Sequence, residues 1–287
     1  MISKMLRIIR DVNASVAPGY RIPLYVLSGR RPWSKGYVEY KRRIISRVLD
    51  DEEILGRFLK NKELPLDYGL RIDERVVEYP WVLSRLLSGK HRLLDAGSAL
   101  NFPYILDYPR LQEKSIVIYT LAPEATIGRA NVSYIYGDLR RTILRDAHFD
   151  AIVCISTIEH IGMDNTLIYT SDRRYDESAP YEFLDTIKEF KRLLKPEGKL
   201  FITVPYGRPQ DIDWLQQFDQ EKVDLLVDAF GGDEQERVFY RYDANGWQLS
   251  DASACSECEY YDIHTRKAFD PDYAAAARAV VCLQLKK

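Results

Sequence analysis

Three short stretches hold side chains that could do chemistry, and each stands where an apolar run stops. The first is R-L-L-D-A-G-S-A-L-N, Arg92 to Asn101, in which Asp95, Ala96, Gly97 and Ser98 follow the leucines. A loop that cradles a pyrophosphate needs several glycines, so that the backbone can approach the phosphates at a helix N-terminus. Ala99 and Asn101 stand where two of those glycines belong. The loop therefore speaks against a dinucleotide or ATP and for a nucleoside without phosphate. Gly97 alone permits a tight turn beneath an amino-acid-like or ribose group, and Asp95 either receives an ammonium or orients backbone N–H groups. The second stretch, Gly137-Asp138-Leu139, offers a carboxylate. The third, Ser156-Thr157-Ile158-Glu159-His160, brings hydroxyls, an acid and an imidazole together. An imidazole titrates in the range a general base needs, so His160 is the candidate proton acceptor and Glu159 its orienting neighbour. The competing assignment is a histidine that only hydrogen-bonds its own loop.

Such residues need elements that bring them to one edge. Apolar runs predict strands at Arg92–Asp95, Ser115–Thr120, Val132–Tyr136, Ala151–Ser156 and Lys199–Val204, with further strands at Glu236–Tyr242 and Arg278–Leu285. Helical periodicity predicts helices at Tyr37–Phe58, Tyr181–Leu194 and near Trp214–Phe230, and Pro103 and Pro109 limit the helix after the first strand to a short one. Short apolar strands alternating with helices imply an α/β fold, a doubly wound and mostly parallel sheet, with a late antiparallel strand at its edge. Residues 1–65 read as an N-terminal helical cover and 66–287 as the α/β domain, with inserted loops at 162–180 and 243–277. In a doubly wound sheet ligands sit at the carboxyl ends of the strands, where all three stretches lie.

The 287 residues have a formal net charge of −2, which gives no global attraction for nucleic acid or an anionic membrane. No apolar run is long enough to span a bilayer, and the start of the chain lacks a signal-peptide pattern. Four cysteines in so long a chain suggest a reducing, cytoplasmic setting. C-S-E-C, Cys255 to Cys258, with His264 supplies three ligands where a structural zinc wants four, so a solvent-facing pair of reduced thiols is expected and no metal. Ile2, Met5, Leu6, Ile9 and Val12 fall on one helical face with basic residues beside them, a segment expected to pack on the domain or on a partner.

The order of motifs resembles that of class I S-adenosylmethionine-dependent methyltransferases. R-L-L-D-A-G-S is similar to their first motif, G-D-L to the acid after the third strand, F-D-A-I-V-C-I-S-T-I-E-H-I to the fourth-strand motif, and L-L-K-P-E-G-K-L-F-I-T-V-P to the helix, turn and fifth strand that follow. The resemblance covers residues 70–207 and leaves both flanks unmatched. It implies a Rossmann-like methyltransferase fold and S-adenosyl-L-methionine as cofactor. Asp95, Ala96, Gly97 and Ser98 would line its methionine end, Thr120 and Leu121 its ribose, Asp138 and Leu139 its adenine, and Ser156 would lie under the sulfonium. Thr120 departs from the pattern, since family members usually end that strand in an acid that grips both ribose hydroxyls.

For the methyl acceptor, Asp164 and Arg174 in the polar loop after His160 are candidate contacts, with Tyr206 and Trp214 beyond the fifth strand. From the N-terminal side Arg71 is a candidate to bind a carboxylate and Tyr79 to close the pocket. A methyltransferase acting on a small molecule or glycan is the expectation, on oxygen if His160 removes a hydroxyl proton. The alternative is a catalytically inactive methyltransferase-fold binding or scaffold subunit. No nucleic-acid partner is expected, and no oligomeric state follows from the residues.

Overall fold

The structure, a computed structural model, describes residues 20–287, so the amphipathic pattern of the first dozen residues lies outside the described residues. A short helix α1 (Arg21–Leu27) precedes two helices, α2 (Tyr37–Leu49) and α3 (Glu52–Leu59), where one was expected. The break comes from Asp51. Its backbone is extended, and its carboxylate accepts from Glu53 N at 3.0 Å and Ile54 N at 3.1 Å, an N-cap that restarts the helix. Ile45, Val48 and Phe58 pack into the same apolar cluster as α4 (Arg75–Arg85), whose residues from Val76 to Arg85 are all buried. Between the cover and the sheet, α4 therefore has no solvent face.

The sheet strands are β1 (Arg92–Ala96), β2 (Ser115–Thr120), β3 (Val132–Tyr136), β4 (Phe149–Ile155) and β5 (Leu194–Pro205). A small hairpin follows, β6 (Gln210–Ile212) and β7 (Leu215–Gln217), and then β8 (Asp233–Asp243), β9 (Gly246–Ser250) and β10 (Ala279–Lys286). Among the described residues the large sheet has eight strands in the order β3-β2-β1-β4-β5-β10-β8-β9. The first five are parallel, and β10 runs antiparallel between β5 and β8. This is a Rossmann-like fold, a mixed, mostly parallel sheet between helical layers. The order reverses between β1 and β4, so the crevice for a ligand opens at their carboxyl ends. The helices α5 (Pro103–Leu106) and α6 (Pro109–Gln112) are as short as the prolines dictate. On the opposite face α7 (Phe183–Leu193) and α8 (Gln220–Phe230) share one apolar cluster.

Two late expectations are corrected. The segment expected as a helix from Trp214 is the strand β7, and the helix starts only after Asp219, whose carboxylate caps Lys222 N at 2.9 Å. The supposed loop at 243–277 begins as an edge strand: Trp247 is fully buried and its indole N–H donates to the Ile72 carbonyl at 2.9 Å. The loop at 162–180 carries brief 3-10 turns at Asn165–Leu167 and Arg173–Tyr175.

Candidate active site

The ends of β1, β2 and β3 form one half of the crevice. Asp95 is fully buried and accepts from Ala99 N at 3.1 Å and Leu100 N at 2.8 Å, so its carboxylate organises the turn. Burial pushes it up to about 7, against the pull of those two N–H groups. Gly97 has φ +105°, and a Cβ there would lie 2.1 Å from Thr157 Oγ1, so the β1 and β4 turns touch only because this residue is glycine. Ser98 follows with φ +67°, and its hydroxyl is buried with no hydrogen-bond partner. Asn101 has its own work: its amide donates to the Ala125 carbonyl at 2.9 Å, and its oxygen accepts from Tyr134 Oη at 2.9 Å. The glycine-poor loop is thus braced by side chains in place of phosphates. Ala96 is fully buried, Thr120 and Leu121 are half-buried, and Leu139 turns into the core. Asp138 is held by Arg140, which bonds both carboxylate oxygens and also pairs with Glu177 and Glu182, tying the 162–180 loop to this rim.

The other half lies at the exits of β4 and β5, under α4. Ser156 has φ +37°, and its hydroxyl donates to Glu78 Oε1 at 2.6 Å. Thr203 Oγ1 donates to the same oxygen at 2.7 Å, and Arg75 pairs with the other one. Glu78 is fully buried, so these partners neutralise and satisfy it in place of water. Glu159 and His160 sit in a 3-10 turn directly after β4, both buried. The His160 Nδ1 lies 2.8 Å from the Trp214 carbonyl, which can only accept, so Nδ1 carries the hydrogen and Nε2 keeps a free lone pair. Its ring stacks on Trp214 with centroids 5.4 Å apart at 14° and meets Tyr169 edge-on. Burial, with Arg75 nearby, lowers the imidazole to about 4 against the pull of its carbonyl bond, so it is uncharged at neutral pH. Nε2 is 3.9 Å from Glu159 Oε1, and Glu159 Oε2 is buried with no partner. Burial holds the Glu159 carboxyl well above the usual range. Glu74, also buried, is pushed up to about 8 by burial and by Asp73.

His160 and Trp214 are therefore brought together after β4, and the other acceptor candidates are not. Tyr206 is buried against Phe239 on the α8 side of the sheet, because β5 alternates its faces and residue 206 turns into that core. Arg174 is exposed and forks onto Asp172. Asp164 caps its own turn through Thr166 N at 2.8 Å. Arg71 lies over Tyr273 with its guanidinium 4.2 Å from the ring centre, away from the crevice, while Tyr79 donates to the Ala99 carbonyl at 2.6 Å and braces the β1 turn. Cys255 and Cys258 are buried, correcting the expectation of solvent-facing thiols. The His264 side chain lies outside the described residues, and among those described no cluster of His, Cys, Asp or Glu is arranged to hold a metal. Glu74, Arg75 and Glu78 were not singled out from the sequence. Their signal was there: three charges at i, i+1 and i+4 of an otherwise apolar helix, on one face.

Comparison with known proteins gives a sequence match and more distant likenesses. Residues 112–202, from α6 to β5, match the family model described as a methyltransferase domain. No curated protein matches the sequence. Among solved structures, the [4+2]-cyclase SpnF is 16% identical with a TM-score of 0.46, over 85% of this chain and 94% of that one. An S-adenosylmethionine-dependent methyltransferase from Mesorhizobium loti is 12% identical with a TM-score of 0.44, over 73% and 98%. The Burkholderia thailandensis 1,6-didemethyltoxoflavin-N1-methyltransferase, with 1,6-didemethyltoxoflavin and S-adenosylhomocysteine bound, is 11% identical with a TM-score of 0.40, over 69% and 72%. Likenesses this distant say nothing of what this chain acts on.

Proposed function

We propose, from the match of residues 112–202 to a methyltransferase domain model, that this chain is an S-adenosylmethionine-dependent enzyme that methylates a hydroxyl of a small molecule or glycan. S-adenosylmethionine is the family's cofactor, and when bound it supplies an electrophilic methyl group on a cationic sulfur. The residues present suit it. The partnerless, buried Ser98 hydroxyl marks a polar ligand at the β1 turn, and Gly97, Thr120 and Asp138 stand beside it at the ends of β1, β2 and β3. No phosphate site competes, since Ala99 and Asn101 are part of the bracing.

The observation that carries the reading is the orientation of His160. The Trp214 carbonyl fixes the proton on Nδ1, which leaves Nε2 as a proton acceptor in a buried site at the β4 exit. With the imidazole lowered to about 4, it is in its base form throughout the neutral range. It accepts the acceptor's hydroxyl proton, and the Trp214 and Tyr169 rings hold the imidazole in position to do so. Ser156 is held away from this role by Glu78 and shapes the floor. The four cysteines are free thiols, which supports a reducing, cytoplasmic setting, and among the described residues no helix is long and apolar enough to cross a membrane.

Titration calorimetry with S-adenosylmethionine tests the first step, with micromolar binding expected, and transfer of a tritiated methyl group to a panel of hydroxylated amines, phenols and sugars tests the second. No binding at millimolar cofactor would overturn the proposal and leave a methyltransferase-shaped scaffold.

A further inference from the structure

The acceptor half of the crevice holds more acid than it can neutralise. The first turn of α4 brings Glu74, Arg75 and Glu78 to the β4 exit, where Glu159 is within electrostatic reach of all three. Arg75 is the guanidinium facing these carboxyls. It pairs closely with Glu78, which also takes the Ser156 and Thr203 hydroxyls and is then satisfied. Glu74 is left 4.0 Å from Arg75 and accepts one backbone N–H, from Ala277 at 3.2 Å. Glu159 is 2% exposed, and its Oε2 has no hydrogen-bond partner at all. A buried carboxylate with one oxygen left without a donor is costly to ionise, so such a group keeps a proton unless a cation faces it. A ligand with N⁺–H donors would supply both the missing charge and the missing hydrogen bonds. The surrounding walls suit a cation as well. Trp214 lies stacked on His160, and Tyr260 meets Trp214 edge-on at 6.1 Å and 82°. Aromatic faces attract an ammonium through their quadrupoles. A carboxylate or phosphate in the same place would meet Glu74 and Glu159 with the one nearby guanidinium already committed to Glu78.

Resting on the methyltransferase proposal, we infer that the acceptor is a hydroxylated amine, its ammonium group held by Glu159 with Glu74 beside the base His160. The acid pair thereby selects the substrate by charge, while His160 acts on the hydroxyl.

The test is binding, measured by calorimetry on the full chain saturated with S-adenosylhomocysteine. Two matched sets serve as probes: tyramine, 4-ethylphenol and 3-(4-hydroxyphenyl)propanoate, and ethanolamine, ethylene glycol and glycolate. In at least one set the cation is expected to bind tenfold or more tightly than its neutral counterpart, with the anion weakest. Glu159→Gln should remove about tenfold from the cation and leave the neutral probe unchanged. S-adenosylhomocysteine affinity reports whether that variant is folded, and if it is not, Glu74→Gln is read in the same way. Neutral or anionic probes binding as tightly as the cations, or neither cation binding to the loaded protein, would overturn the inference while the methyltransferase proposal stood. A protein that fails to bind S-adenosylhomocysteine at all would sink that proposal, and the inference with it.

Discussion

The two halves of the crevice are made from different reaches of the chain and held by different forces. At the ends of β1 and β3 the contacts are local: Asp95 holds the N–H groups of Ala99 and Leu100, and Asp138 is held by Arg140 two residues on. Across the crevice Glu78 binds Ser156, 78 residues away, and Thr203, 125 residues away, and the charges there are buried. The carboxylate contacts of the first kind lie within five residues, which a short segment can carry. The acceptor half exists only once α4, the β4 exit and β5 have docked, so its chemistry is a property of the tertiary fold.

If that contrast is right, the largest effect should come from breaking the long-range hub. Glu78→Ala strips two hydroxyls of their acceptor and leaves the Arg75 guanidinium without its closest partner. Removing one member of a buried pair costs about 3–5 kcal/mol. The urea midpoint should fall accordingly, whereas Arg174→Ala, which cuts a solvent-exposed pair, should leave it unchanged within measurement error. A loss at Glu78 as small as that at Arg174 would erase the distinction between the halves.

The next effect separates chemistry from cofactor binding. His160→Ala should lower methyl transfer about 100-fold, near the low end for a general base, because an imidazole lowered to about 4 is a weak one. Cofactor affinity should hold within twofold, since His160 belongs to the other half. In the wild-type protein the rate should have no acid limb near 6.5, and the limb due to this residue should lie near 4. A rate that fell with a midpoint at the ordinary histidine value would show that the imidazole is not the buried, neutral group described above.

Stability against pH sharpens the comparison further, because each half contributes a raised carboxyl. Asp95 stands at about 7 against an ordinary 3.8, and Glu74 at about 8 against 4.5. Above pH 4 the unfolded chain gives up protons that the native state keeps. The stability these groups provide is therefore complete below their ordinary values and is lost as pH rises through 7 and 8. The slope reaches about 1.4 kcal/mol per pH unit for each group. His160 works in the opposite sense. Below 6.5 the unfolded chain binds a proton that the native state refuses until about 4, so this one contribution falls on the acid side, at half the combined slope of the two carboxyls. Two carboxyls outweigh one imidazole, so urea midpoints should already fall from pH 5 to pH 6 and be clearly lower again at pH 8.5. Glu74→Gln should remove part of the alkaline slope, and the part that remains belongs to Asp95 and Glu159. A midpoint that rose between pH 6 and 8.5 would contradict both assignments.

The same division explains what could be read from the residues alone. The bounds of β2 and β3 were legible to the residue, because apolar runs of strand length stop at turn formers. The helix at 37–58 was misread as continuous because a single capping aspartate, Asp51, outweighs an unbroken stripe. At the site, the spacing around Asp95, Gly97, Asp138 and His160 was visible because those residues are neighbours of their own strand ends. Glu74, Arg75 and Glu78 were hidden, since charges within an apolar helix gain meaning only from the strand that docks against them. Tyr206 and Trp214 were equally plausible by type. Which one faces the crevice was decided by the alternation of β5 and by the hairpin after it, and neither is written in composition.

The smallest effect concerns Thr120, at the end of β2, where the proposal places the ribose. It closes β2, its carbonyl accepts the Gly137 N–H at 2.9 Å, and its side chain is half-buried at the rim. An aspartate there would offer two charged acceptors to vicinal hydroxyls where threonine offers one neutral one, a difference of about 1–2 kcal/mol. Glu124 already acts on Asp95 from this side, so a further negative charge meets repulsion, and the gain should fall at the lower end. Thr120→Asp is therefore expected to tighten S-adenosylmethionine about fivefold by calorimetry. The urea midpoint should stay within about 0.5 kcal/mol, since a side chain at the rim has little packing to lose. Unchanged or weaker binding would mean that the ribose is not gripped at the end of β2. The bracing of the β1 turn by Asn101 and Tyr134 would then have to be weighed as the device that replaced it.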